Sequence, residues 1–413
     1  MILVPNRLQL LSGNNFVILL SMLIFLSACS KKITAPKPVE ITSPVEREKQ
    51  KEIVPVKKQT NHSIALLLPF ELNSINLKTA GRKDIAKADL AIDFYQGFKL
   101  ALDSLIINGH HFNLQVFDTQ SQETRVVNLA MASSVRSNDL IIGPVFPDAI
   151  KTFADFSELG QTLQISPLAA SIPAEFNNPR LVTVTNTINQ HGQKIAEFIH
   201  LNYKPELVNL VLINTQKTED AKFSSFFKSS LAKISGGKFR IIERPTAIAI
   251  ESYLDPTKVN LLIIASADRI FLLPTIDKLY KLLNQRYKIE LFGHPNWIKA
   301  KYLSQEKMQA LTTRISTSYF VNYKAQNVKN FISRYRDEYS IEPSEYSFKG
   351  FDIGYYFGGL LEKYGKDYAD HLQDSVYQGL HTVFKFSKDP KFGYINDELI
   401  LLRYTNFELQ PVK

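Results

Sequence analysis

The chain has 413 residues, 45% of them hydrophobic, a formal net charge of +9 and a single cysteine, Cys29. One cysteine excludes a disulfide framework within the chain, so stability has to come from a buried core. The basic residues are mixed with acids and form no long run, which argues against nucleic-acid binding; they read as a solvated surface, or as an attraction to anionic lipid or wall polymer that salt would screen.

At the N-terminus, Arg7 precedes an apolar run at 16–26. The run falls short of the ~20 residues that span a bilayer. With Ser27 and Ala28 behind it, residues 1–28 have the layout of a secretory signal peptide. Leu26-Ser27-Ala28-Cys29 resembles the bacterial lipobox. That resemblance implies cleavage before Cys29, lipidation of its thiol, and a membrane anchor with the rest of the chain facing the periplasm or the cell exterior. Residues 29–62 carry Pro36, Pro38, Pro44 and Pro55, mixed Lys and Glu, and no aromatic residue. Such a segment cannot bury enough to offset its ordering entropy and is expected to be a disordered tether.

The remaining stretch of roughly 350 residues suits two lobes better than one core. Its first element is the apolar run 64–68, a buried strand that stops at Pro69. Phe94, Phe98, Ala101, Leu102 and Leu105 then recur at helical spacing, with Gly97 leaving room for a close helix neighbour. Strands are expected at 112–117, 140–142 and 163–165, separated by helices at 127–135 and 149–159. The alternation restarts with a helix at 192–201 and a strand at 208–213. A helix at 223–234, strands at 239–242 and 259–265, a helix at 275–284 and a strand at 288–292 follow. Helices at 328–339 and 351–364 and strands at 382–386 and 399–404 close the chain. Alternating strands and helices predict an α/β fold of two Rossmann-like lobes, each with a parallel sheet covered on both faces.

Three landmarks carry a family resemblance. They are Ile64-Ala65-Leu66-Leu67-Leu68-Pro69-Phe70 followed by Asp93 to Ala101; Ile141-Ile142-Gly143-Pro144 with Ile165-Ser166-Pro167; and Phe331 and Tyr335 through Pro343 to Gly350-Phe351-Asp352. In this order they resemble the type I periplasmic solute-binding proteins, in particular the branched-chain amino-acid receptors. Asp118-Thr119 and the Gly143-Pro144 turn are also similar to lipoproteins of the same fold that activate penicillin-binding proteins. The resemblance implies hinge crossovers near 184–189, 317–323 and 386–394. It divides the chain into lobe one at 63–185 and 324–384, and lobe two at 186–323 and 385–413. It implies a small solute or peptide in the inter-lobe cleft, an ABC-type permease or a cell-wall synthase as partner, and no cofactor.

Loops at the carboxyl ends of parallel strands face a common crevice. In lobe one they hold Phe70, Glu71, Phe146, Pro147, Asp148, Ser166, Leu168, Ala169, Ala170 and Ser171; in lobe two, Asn214, Thr215, Ser266, Asp268, Asn296 and Trp297. Trp297, the only tryptophan, either stacks on a ligand or plugs its loop against the core. The family holds an amino-acid ligand through hydroxyls at positions matching Pro147 and Ala170, which have none, although Ser171 substitutes if the loop is shifted by one. A typical free amino acid is therefore not the expected ligand, and the groove is expected to be only mildly polar. Asp148 and Asp268 either hold a cationic group or are solvated. His110-His111 lacks a spaced partner for a metal, Gly236-Gly237 reads as a helix stop, and Asp352 as a helix start. No G-x-S-x-G, H-E-x-x-H or P-loop is present, and nothing argues for catalysis.

Overall fold

The computed structural model describes residues 61–412 except 77, 108–110 and 284, all within one compact unit, Lys58–Lys413. The signal peptide, Cys29 and nearly all of the tether lie outside the described residues.

Two seven-stranded sheets form the frame. The first is built from β1 (Asn61–Leu68), β2 (His111–Asp118), β3 (Leu140–Ile142), β4 (Gln164–Ser166) and β5 (Leu181–Thr183). The second is built from β6 (Val208–Ile213), β7 (Ile241–Arg244), β8 (Val259–Ile264), β9 (Lys288–Gly293) and β10 (Arg314–Thr317). Spatial order is β2-β1-β3-β4-β5 in one and β7-β6-β8-β9-β10 in the other, all parallel. The same doubly wound order thus occurs twice. The central strands are continuous apolar runs because helices cover both their faces; Ile64 to Leu68 and Leu261 to Ile264 are wholly buried.

The C-terminal strands complete both sheets. After the short pair β11 (Tyr377–Gln378) and β12 (Val383–Phe384) come β13 (Phe386–Asp389) and β14 (Gly393–Asn396). This hairpin joins the first sheet, with β14 parallel to β5. The pair β15 (Ile400–Thr405) and β16 (Glu408–Pro411) then joins the second, antiparallel to β10. Residues 386–396, expected in lobe two, therefore belong to lobe one, and the third crossover falls at 397–399 rather than 386–394. The physical reason is edge pairing: β5 leaves an open edge that β14 fills.

Helix α1 (Asp89–Ile106) buries the expected Phe94, Phe98, Ala101, Leu102 and Leu105. α2 (Glu123–Met131), α3 (Pro147–Phe156), α4 (Ile188–Asn202), α5 (Thr218–Ser235) and α6 (Arg269–Leu283) follow the predicted positions within a few residues. α7 (Gln326–Tyr339) and α8 (Glu345–Tyr364) return the chain to the first lobe. There α8 crosses α1 at glycine on both sides. A Cβ on Gly97 would stand 1.9 Å from the Ser347 carbonyl oxygen, and one on Gly350 would stand 2.1 Å from that of Phe94. No helix among the described residues is long and apolar enough to cross a membrane.

The crossovers are knitted by amides. Asn186 donates Nδ2 to the Asn396 carbonyl at 2.8 Å, and Asn396 donates to the carbonyls of Val184 and Val383 at 3.1 and 3.0 Å. Gln190 also donates to the Asn396 carbonyl, at 2.8 Å. Asn396 is buried, so these bonds replace water that the backbone there cannot reach. Asp352 fixes the segment between β11 and β12. It sits in the middle of α8, not at a helix start, and accepts the backbone N–H groups of Leu380, His381 and Thr382 at 2.7, 2.9 and 2.8 Å. Burial pushes its carboxyl up to about 7, against the pull of those three donors. The segment so held pairs with Tyr319, and the Tyr319 and His381 rings stack at 4.6 Å.

Candidate functional site: the inter-lobe cleft

A cleft of about 700 Å³ opens between the lobes beside the crossovers. Its size suits a small organic solute. Lobe one contributes Ala170, Ser171, Ile172 and Glu175 from the loop after β4, and Glu345 and Lys349 from the first turns of α8. The crossovers contribute Thr185 to Ile188 and Thr317 to Tyr319. Lobe two contributes His191, Glu219, Lys222, His294, Pro295, Asn296, Ile298 and Lys299.

The loop after β9 shows how sequence places these side chains. Residues Pro295–Lys299 form a 3-10 turn whose N-cap, His294, accepts the Asn296 amide on Nδ1 at 3.1 Å. In a 3-10 turn, residues three apart share a face. Asn296 and Lys299 therefore both reach the cleft, while Trp297 points the other way. Trp297 is 1% exposed, donates its indole N–H to the Ser266 carbonyl at 2.9 Å and packs in the lobe-two core. Its ring lies where a Gly293 Cβ would be, within 2.2 Å. Of its two readings, the core plug is the one the structure shows.

Two buried histidines form the floor on the lobe-two side. His191 Nδ1 and Ser316 Oγ are 2.9 Å apart. Burial, then the neighbouring His294, lowers His191 to about 3. Burial lowers His294 to about 4. Both are neutral near pH 7. Because His294 Nδ1 accepts from Asn296, its proton resides on Nε2.

The charged groups are paired across the gap. Lys299 of lobe two reaches Glu345 of lobe one at 2.7 Å, and Lys349 lies 3.6 Å from the other oxygen of the same carboxylate. Both ammonium groups lie near the face of Tyr319, at 5.6 and 5.5 Å from its centroid. Burial holds Lys349 below the usual lysine range, with Glu345 opposing that shift. On α5, Glu219 and Lys222 pair with each other at 3.0 Å. The cleft thus combines charged groups from both lobes with an apolar wall that includes Ile172, Ile188 and Ile298, and is more polar than the groove expected. Glu219, Lys222, Glu345 and Lys349 come from helix turns that the strand-end rule does not include, whereas Glu175 and Lys299 lie in loops after β4 and β9.

Of the residues proposed from sequence, Ala170, Ser171 and Asn296 line this cleft. The others serve the lobes themselves. Phe146, Pro147 and Asp148 start α3, are exposed and are not among the residues lining the cleft. Phe70 packs edge-on against Tyr95 at 6.2 Å, and its amide and that of Glu71 are held by Asp118 Oδ1 at 2.9 and 3.2 Å. Ser166 is buried in β4; Leu168 packs on the lobe-one core; Ala169 is buried with Ile150, Phe176 and Leu181. Asn214 donates to Glu243 at 2.8 Å, Ser266 Oγ accepts the Asp268 amide at 3.2 Å, and Asp268 pairs with Lys217 at 2.6 Å. Thr215 is bonded to Asp220. The open space lies beside β4, β5, β9 and β10, next to the crossovers, and not at the β1/β3 switch point where Phe70 and Phe146 sit. Among the described residues no group of three His, Cys, Asp or Glu side chains is arranged to hold a metal ion.

No protein-family model matches this sequence, and no curated protein matches it. Solved structures do. A putative branched-chain amino acid ABC transporter protein from Rhodospirillum rubrum superposes with a TM-score of 0.61 at 13% identity, over 86% of this chain and 100% of that one. An ABC transporter substrate-binding protein from Desulfitobacterium hafniense, in complex with Leu, gives 0.53 at 14% identity, over 86% and 100%. Full-length LpoA from Haemophilus influenzae gives 0.56 at 14% identity, over 86% of this chain and 60% of that one. The chain therefore has the fold of the type I periplasmic binding proteins: two α/β lobes joined by hinge crossovers, with a cleft between them.

Proposed function

We propose that this chain is a non-enzymatic, extracytoplasmic binding lipoprotein that captures a small solute between its lobes. The cleft of about 700 Å³, lined from both lobes at the crossovers, carries this reading. The lobes on this reading are 61–185 with 324–396 and 186–323 with 397–413. The lipobox at Cys29 supports a lipid anchor, with residues 29–60 as tether, since Asn61 and His62 already belong to β1. The protein hands its solute to an ABC-type permease, and the solute is not a typical free amino acid, since Pro147 and Ala170 offer no hydroxyl and Ser171 is the one neighbour on that loop that could replace them. Thermal unfolding against pooled metabolites tests the binding role, and fatty-acid labelling of a Cys29→Ser variant tests the anchor. Equal labelling of variant and wild type would refute the anchor.

A second reading is an interaction lipoprotein that regulates a cell-wall synthase. Its support is the similarity to LpoA, of which the chain spans about 60%. Pull-down from detergent-solubilised envelope separates the two: permease subunits support the first reading, a cell-wall synthase the second.

A further inference from the structure

The charge pattern of the cleft specifies more than a solute of suitable size. On the lobe-one side, two ammonium groups share one carboxylate: Lys299 on one oxygen of Glu345 at 2.7 Å, Lys349 near the other at 3.6 Å. The Tyr319 hydroxyl is a further polar neighbour of Lys299 and Glu345. The trio of Lys299, Lys349 and Glu345 has a formal charge of +1, while Glu175 on the exposed lobe-one loop brings the lining as a whole to three lysines and three glutamates. The ring nearest the trio, Tyr319, contributes a π-face at 5.6 and 5.5 Å. Behind that ring stacks His381, which burial and the two lysines keep uncharged. The Lys349 side chain is 13% exposed while that of Lys299 is 62% exposed. One ammonium is therefore fixed in the wall, and the other stands on the opposite lobe, free to follow its motion. A buried ammonium with a distant, shared counter-ion is under-solvated, and a second oxyanion relieves it. Glu219 and Lys222 are already paired on α5 and add no net charge.

We infer that the cleft selects solutes bearing a small oxyanion, a carboxylate or a phosphate monoester, which enters between Lys299 and Lys349 and competes with Glu345 for them. The inference rests on the binding role proposed above. Glu345 then acts as a built-in mimic of the ligand's anion, holding the lobes together until a better-placed oxyanion replaces it.

Isothermal titration of the detergent-solubilised full chain tests this, with sodium succinate, sodium benzoate and glycerol 3-phosphate as probes. Succinamide, benzamide and glycerol serve as uncharged counterparts, and ionic strength is held constant with NaCl because exposed charge is screened. At least one anion should bind and its counterpart should not. The carboxylate and phosphate arms show which oxyanion is preferred. Lys349→Met and the more exposed Lys299→Ala should each weaken that anion at least tenfold, and Glu345→Gln should tighten it by removing the competitor. If Lys349→Met fails to fold, the Lys299 and Glu345 variants still decide. Binding of uncharged probes alone, or anion affinity unchanged in all three variants, overturns the oxyanion assignment and leaves the binding role standing. No binding by any of the six probes, while a solute from the metabolite pool still stabilises the protein, also overturns the assignment. No stabilisation by any pooled solute overturns the binding role as well.

Discussion

Lys299 and Glu345 form an ion pair of 2.7 Å that joins the two lobes across the cleft. Lys299 is mostly exposed, so the pair contributes under about 1 kcal/mol to stability. Its effect is on the equilibrium between open and closed lobes. Lys299→Ala should raise the radius of gyration in small-angle scattering while changing the unfolding midpoint little. An unchanged scattering profile would show that the crossovers alone fix the lobe angle.

Trp297→Ala should destabilise the protein by at least about 3 kcal/mol, the range for removing a buried aromatic side chain. The ring is 1% exposed and its indole N–H is bonded to Ser266. Denaturant unfolding measures this directly. A stable variant with impaired solute binding would restore Trp297 to the cleft.

Much of this fold is legible in the residues, for a physical reason. Central strands buried on both faces must be apolar throughout, so β1, β3 and β8 stand out as continuous runs. Edge and hinge strands do not. Arg314–Thr317 reads as polar, yet all four residues are buried. Arg314 is compensated by Glu290 and by the rings of Phe198 and Phe292 at 5.2 and 5.5 Å, partners on other elements. Leu181–Thr183 is three residues long and leaves no periodicity to detect. In the cleft, Ala170, Ser171 and Asn296 follow strands and were accessible to the strand-end rule. Glu345 and Lys349 were not, because an i, i+4 pair at a helix start ordinarily faces solvent. Only the opposite lobe turns it into a wall.

Asp352→Ala should cost about 3 kcal/mol or more, because it strands three N–H groups, two of them buried. Asp352→Asn keeps one carbonyl acceptor and should fall between wild type and alanine. Equal stability of all three would mean that segment 380–382 is held by other contacts. Urea unfolding of each variant distinguishes these outcomes.

The buried histidines predict a pH dependence. His191 ionises near 6.5 when unfolded and is lowered to about 3 in the fold by burial and by His294. A lowered pKa means that the unfolded chain takes up the proton first as pH falls. The stability held above pH 6.5 is therefore lost progressively toward pH 3. At pH 5 the loss from this group is about 2 kcal/mol. His191→Gln cannot titrate, so the stability advantage of wild type over this variant should shrink by that amount between pH 7 and pH 5. A constant difference would place His191 in contact with water.

The central claim is that the space between the lobes is where a solute binds. Its most direct test compares unfolding of wild type with Ala170→Trp, in which an indole on the exposed lobe-one loop fills the cleft, against the same pooled solutes. A solute present at a hundred times its dissociation constant should stabilise wild type by ~2.7 kcal/mol and leave Ala170→Trp unmoved. Equal stabilisation of both proteins, or of neither at millimolar concentrations, would contradict the assignment of the cleft.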